Sequence, residues 1–306
     1  MTWTWDAPSG VYRNHTLSTD LRREAMYDVQ TLKFLRPEPG YGKKKGDTLT
    51  ITRVMQLPVA GRVGEMDVLP NGRPAINTKS VTVSEWGFKI QTTEFESNLA
   101  FFDIHNQFQQ MLRDQMALTM DLMGAAALKT TPAKYTPQVG GGVYSTSGSA
   151  SGTATANMAI ADLRFLRDQL RKNKTPYFRG GKYVGILSTR AARGIKNDPE
   201  YKDWVSPHEN EPTIAGRMKD IEGFQLLETN NVFSFLDLIG ASTVCGEAIF
   251  FGADPGFLAV VANPELRAGL PVELGRFRDV GWVGTLEASI TWDIASLARV
   301  IHVTST

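Results

Sequence analysis

The chain has 306 residues, with 33 Lys plus Arg against 32 Asp plus Glu for a formal charge of +1, and it is 42% hydrophobic and 21% charged. That balance excludes a wholly disordered chain, and near-neutrality excludes a dedicated nucleic-acid binder, which carries a strong basic excess. The length matches roughly two domains, and a fold of this size hides about 75% of its unfolded surface without covalent staples.

The single cysteine, Cys245, can form no internal disulfide and no thiolate cluster. The opening Met1-Thr2-Trp3-Thr4-Trp5-Asp6 lacks the basic and apolar regions of a signal peptide, so the protein is expected to be intracellular when made. Without such a signal, the sequon Asn14-His15-Thr16 is read as accidental. The longest apolar runs, Ala248 to Phe251 and Phe257 to Ala262, fall far short of the ~20 residues that span a bilayer.

In chain order, residues 1–45 read as an arm. They are aromatic, carry a charge of +3 and hold one short helix beginning at Ser18 or Thr19, which Pro37 and Pro39 keep from extending. Residues 46–95 read as an extended β-hairpin. Thr48 to Val54 alternates with period 2, Ile76 to Phe95 is again strand-like, and between them lie Pro58, Gly61, Gly64, Pro70, Asn71-Gly72 and Pro74. The tip is expected to hold few large apolar residues and to lie off its own subunit.

A long helix is expected over Asp103 to Lys129, roughly 40 Å in length, with Asp103 as N-cap. Its apolar face comprises Ile104, Phe108, Met111, Leu112, Met116, Leu118, Leu122 and Met123. The Gly/Ser-rich stretch 135–156 reads as a flexible loop. A helix follows over Asn157 to Lys172, with Ile160, Leu163, Leu166 and Leu170 facing the core. Next come a strand over Tyr183 to Leu187, a helix over Thr189 to Asn197, and strands at Leu226-Leu227, Val232 to Phe235, Ala248 to Phe251, Leu258 to Val261, Trp282 to Ile290 and Ala298 to Val303. No repeat of 20–50 residues recurs.

No catalytic constellation emerges. Gly40-Tyr41-Gly42-Lys43-Lys44-Lys45-Gly46 has neither the Ser/Thr nor the strand and helix of a phosphate loop. His15, His105, His208 and His302 lack ligand spacing, and Ser149 and Ser151 lack the nucleophile-elbow order. Glu65 and Asp67 read as a solvated pair on the hairpin tip, and Cys245 as an inert thiol. No cofactor or metal is expected. One charge feature stands out: from Ile160 to Lys196 ten basic residues face only Asp162 and Asp168, giving +8. This segment reads as a solvated face, as a contact with acidic patches of a neighbouring subunit, or as a contact with nucleic-acid phosphates. Arms that cannot bury their own surface imply an assembly.

Several stretches, taken in order, resemble a known family. They are Phe34-Leu35-Arg36-Pro37-Glu38-Pro39-Gly40-Tyr41-Gly42, Lys45-Gly46-Asp47-Thr48-Leu49, the Pro58 to Gly72 loop, Val81-Thr82-Val83, Trp86-Gly87, Gln115 to Asp121, Phe178 to Tyr183, Ile221-Glu222-Gly223-Phe224 and Val280-Gly281-Trp282. From about residue 30 onward they resemble the major capsid proteins of tailed bacteriophages, in the branch related to the coat protein of phage N-four. The resemblance implies an α+β chain with the Hong Kong 97 type capsid fold. Its parts would be an N-terminal arm (1–45), an extended loop (46–95), a peripheral domain (96–182) with a spine helix (103–129), an axial domain (183–262) and return strands (263–306).

The resemblance also implies a non-enzymatic coat protein forming hexamers and pentamers of a virion shell. Its partners would be a scaffolding protein, a portal protein, a decoration protein and weakly contacted packaged DNA. Inter-subunit contacts are expected from Arg53, Arg62, Glu65, Asp67, Arg73, Arg164, Arg167 and Arg171. Lys79 and Asn263 are the pair that the covalent cross-linking of some relatives would use, although no motif here supports that step. A bacterial nanocompartment shell and an unrecognised α/β enzyme are the competing expectations.

Overall fold

The computed structural model describes residues 30–39, 46–65, 68–69, 71–99, 104–150, 152–201, 220–229, 246–274 and 276–306. The expected helix near Ser18, the strand Val232 to Phe235, the cap Asp103 and Cys245 lie outside them.

The continuous apolar runs become strands buried on both faces. A six-stranded sheet holds β5 (Lys134–Thr136), β6 (Val143–Ser145), β7 (Tyr183–Leu187), β8 (Phe224–Glu228), β9 (Gly246–Phe251) and β12 (Val300–Ser305) in the order β6-β5-β12-β9-β7-β8. Side chains alternate across a strand. Tyr183 and Leu187 of β7, Ala248 and Phe250 of β9, and Ile301 and Val303 of β12 therefore share one core, with α3 (Ile160–Lys172) and α4 (Thr189–Asn197). Val184, Ile186, Ile249, Phe251 and Val300 point the other way, into a second core with α2 (Ile104–Lys129). Gly185 has no side chain because a Cβ there would sit 2.6 Å from the Phe250 ring.

The second core is closed by a four-stranded sheet, β1 (Arg36–Pro39), β10 (Gly256–Ala268), β11 (Phe277–Ile290) and β4 (Ser84–Thr93), in the order β1-β10-β11-β4. Pairing crosses the boundary expected at 262, because β10 runs through it and β12 joins β9 rather than the four-stranded sheet. The sequence reading ends β10 at Val261. The strand continues because its register shifts between Val260, Ala262 and Glu265. Pro264 thus sits at a bulge, beyond the residues that pair with β1, where no ladder N–H is required.

Two further expectations change. Residues 135–156 are not simply a loop, since β5 and β6 pair and Tyr135 is buried, stacked on Phe165 at 5.2 Å. The turn between them needs Gly140 and Gly141 at φ of 93° and 133°. The expected hairpin 46–95 is shorter. Only β2 (Thr48–Val54) and β3 (Ile76–Thr82) pair with each other, while β4 leaves to join β11. A short helix, α1 (Glu94–Leu99), follows β4.

The helices match the apolar period closely. The four buried apolar residues of α3 are Ile160, Leu163, Leu166 and Leu170. The Asp162 carboxylate accepts the Ala159 N–H at 2.9 Å, which satisfies an orphan donor of the first turn. Along α2, Leu112 and Met123 are buried but Met111 is exposed. Its last turns are enclosed on most sides because they run between the two sheets.

Phe250 lies at the centre of the first core, fully buried and edge-on to Phe224 at 5.0 Å. Phe250→Ala is expected to cost about 3–5 kcal/mol. Urea unfolding checks this as a lower midpoint at an unchanged slope.

Candidate assembly surface

Among the described residues the β2–β3 ribbon pairs with no other strand. Beyond it, the described residues of 56–75 form a tip whose side chains face solvent. Val59, Val68 and Leu69 are 99%, 93% and 77% exposed, and Val54, Leu57, Val63 and Ile76 are also exposed. The tip is therefore more apolar than the sequence reading allows, and its polar punctuation by Gly, Pro and Asn conceals this. Exposed apolar side chains grouped along one loop are the kind of surface that interaction sites use. The β10–β11 loop is a second such place, with Leu270, Val272 and Leu274 exposed.

The expected contact residues divide into three groups. Arg62, Glu65 and Arg73 are exposed on the tip, as expected of a surface that meets a neighbour. Asp67 lies outside the described residues. Arg53 is corrected. It is buried, and its guanidinium donates to the Thr291 carbonyl at 2.9 Å, to the Asp293 carboxylate at 2.5 Å and to the Thr78 carbonyl at 3.2 Å. On its strand it points toward the body, so its partners are intramolecular.

Arg164 and Arg167 likewise have partners within the chain. Arg164 pairs with Glu222 at 2.9 Å and Glu200 at 2.8 Å, and Arg167 pairs with Glu222 at 2.8 Å. Arg171 donates to the Tyr177 hydroxyl at 2.8 Å. Lys182 pairs with Asp220, and Lys196 with Glu228 at 2.8 Å. Four acids that the fold brings from 200–228 thus offset half of the +8 of residues 160–196, and a linear window could not see them.

Lys79 projects from β3 to the other oxygen of Asp293, at 3.0 Å. Burial alone would raise the Asp293 carboxyl; the hydrogen bonds from Arg53 and Lys79 outweigh that and hold it below the usual value.

Two buried polar nodes had no signal in the periodicity. Asp121 of α2 accepts the Thr31 N–H at 2.8 Å and the Leu32 N–H at 3.4 Å, pinning the 3₁₀ turn Thr31–Phe34 that leads into β1. A lone acid in the apolar half of a helix is the one hint the sequence offers. Glu247, 1% exposed, pairs with Lys129 and with His302 Nε2 at 3.1 Å, while His302 Nδ1 faces the Lys134 ammonium at 3.3 Å. An ammonium only donates, so Nδ1 accepts and Nε2–H donates to Glu247. The network joins α2, β5, β9 and β12 and has no substrate-accessible element.

Among the described residues, no group of three His, Cys, Asp or Glu side chains could hold a metal ion. No described helix is long and apolar enough to cross a membrane. Ser149 is exposed, Ser151, His15 and His208 lie outside the described residues, and nothing assembles around a nucleophile.

No family model and no curated protein matches the sequence. Solved structures do match. The Cyanophage Pam1 capsid asymmetric unit aligns over 100% of this chain and 99% of its own with a TM-score of 0.71 at 16% identity. The capsid of Helicobacter pylori bacteriophage KHP30 aligns over 99% of both chains at 0.69 and 14%. The capsid of Ralstonia phage GP4 aligns over 99% of this chain and 98% of its own at 0.67 and 14%.

The chain has the Hong Kong 97 type capsid fold. Alignment of almost the whole of each chain means that the capsid fold accounts for ribbon, helices and both sheets together. It is also the α+β class expected from the sequence.

Two outcomes follow from the ion pairs. Reversing Arg167→Glu should destabilise the subunit, and the double reversal with Glu222→Arg should recover about 0.5–1 kcal/mol, read by a double-mutant cycle. Because the folded Asp293 carboxyl is held low, its contribution is complete above the unfolded value of about 3.9 and is lost as pH falls through that value to the folded one. Carbon-13 titration of labelled aspartate should place the Asp293 midpoint below 3.9, and Lys79→Met should raise it.

Proposed function

We propose that this chain is the major coat subunit of a tailed-phage head, forming hexamers and pentamers that tile an icosahedral shell around double-stranded DNA. The observation that carries this reading is the ribbon: a two-stranded arm, in a capsid fold, that ends in a large apolar surface its own subunit leaves bare. Similar chains named as phage capsids support it over a nanocompartment shell. In this reading residues 1–45 are the N-terminal arm, the ribbon is the extended loop and α2 is the spine helix. The peripheral domain, axial domain and return strands expected at 96–182, 183–262 and 263–306 share strands, since β10 runs through 262 and β12 pairs with β9. The role is structural rather than enzymatic, and the place of action is the virion.

The mechanism is arm exchange. The tip residues Val59, Val68 and Leu69 are buried by a neighbouring subunit, each contributing about 1.5–3 kcal/mol when fully covered, while Arg62, Glu65 and Arg73 give the contact its register. Repetition around a closed shell lets modest contacts add up. The near-zero net charge suits a wall that encloses DNA without gripping it. A scaffolding protein, a portal protein and a decoration protein are the further partners this reading calls for.

Val59→Ser, Val68→Ser and Leu69→Ser together should leave a folded subunit with wild-type circular dichroism and few or no shells by sedimentation and negative-stain microscopy. Normal shells from the triple variant would defeat arm exchange. Absence of this chain from the shell of DNA-filled particles purified from lysed host cells would defeat the coat-protein reading.

A further inference from the structure

The ribbon and the body meet at an unusual junction. Among the described residues β2 and β3 pair only with each other, and an isolated two-stranded ribbon is marginally stable. Each strand sends one cation to the same carboxylate of the body: Arg53 from β2 binds one Asp293 oxygen at 2.5 Å, and Lys79 from β3 binds the other at 3.0 Å. Asp293 itself lies in the short segment between β11 and the 3₁₀ turn Ala295–Leu297.

A cavity of about 200 Å³, half open to solvent, lies under the ribbon base, between Val54, Met55 and Gln56 on one side and Trp292, Leu297 and Arg299 on the other. Two buried donors here, Arg53 Nε and Trp292 Nε1, have no hydrogen-bond partner. Arg299 stacks on the Trp292 ring at 4.3 Å and lies 3.7 Å from Asp254, while Lys174 reaches Gln56 at 3.2 Å. The contacts are therefore mostly polar and partly unsatisfied, and no dry core must be separated for the ribbon to change its angle.

We propose that Asp293 is an ionic hinge pin, which holds the β2–β3 ribbon at one angle to the body through Arg53 and Lys79 and so regulates how the apolar tip is presented to a neighbouring copy. The second half of this proposal rests on the coat-protein reading, and the first half does not. One carboxylate engaging both strands resists twist as well as bend, which neither ion pair alone would do. The orphaned donors and the cavity mean that this angle does not satisfy every group at the junction, so a second angle is within reach once the pin is withdrawn.

Hydrogen exchange with mass spectrometry on the full chain, in dilute unassembled subunits, tests the pin. Asp293→Asn removes the charge and keeps the shape; Lys79→Met removes one strand's tie. Amides of Thr48–Val54 and Ile76–Thr82 should exchange about tenfold faster in Asp293→Asn, and less so in Lys79→Met, while those of β7 and β9 stay unchanged. Ribbon exchange equal to wild type would overturn the proposal. So would a matching acceleration in β7 and β9, which would make Asp293 a general support of the fold. Particle diameters by negative-stain microscopy test the second half. A broader distribution for Asp293→Asn supports regulation of tip presentation, and an unchanged one overturns it. Absence of this chain from the shell of DNA-filled particles counts against the coat-protein reading alone, and the exchange result still decides the hinge.

Discussion

Burial of the central strands on both faces is the constraint from which the rest of this subunit follows. Once β7, β9 and β12 carry apolar side chains above and below, each face needs a cover. α3 and α4 supply one cover, and α2 with the four-stranded sheet supplies the other. The long helix is therefore a partition between two sheets, which is why its last turns are enclosed on most sides.

Polar groups then do what apolar packing cannot, fixing the parts that leave the body. Asp121 ties down the chain before β1, Glu247 with Lys129 and His302 locks the end of α2 to β9 and β12, and Asp293 meets both strands of the ribbon. Each is one carboxylate serving more than one partner. Removing one partner from a buried pair strands a charge, so such nodes specify geometry more than they add stability.

Much of the body was legible in hydrophobic period. The four inward residues of α3, the span of β7 and the span of α4 follow from spacing of three and four or from short β-branched runs. What stayed hidden was non-local. The acids opposite Arg164 and Arg167 come from another segment, Arg53 looks like a surface charge until its strand face is known, and β10 continues past Pro264 only because a bulge absorbs it. The apolar tip was hidden differently, since its Gly and Pro residues signal turns and draw attention from Val59, Val68 and Leu69. The capsid fold showed through in the order of motifs, whereas the location of the contact surface needed the exposure of individual side chains.

The sheet order also dictates a sequence in time. β2 and β3 are joined through a loop of local chain, and hairpins of that kind close in about 1–10 μs. β12, by contrast, sits between β5 and β9 in the six-stranded sheet, with His302 opposite Lys134, a separation of 168 residues. Long-range closure of that kind is slow because loop entropy is lost before contacts repay it. The ribbon can thus form while the sheet beside it still lacks a middle strand. For that interval the chain would carry its exposed tip on an incomplete body whose unpaired strand edges are open to mispairing.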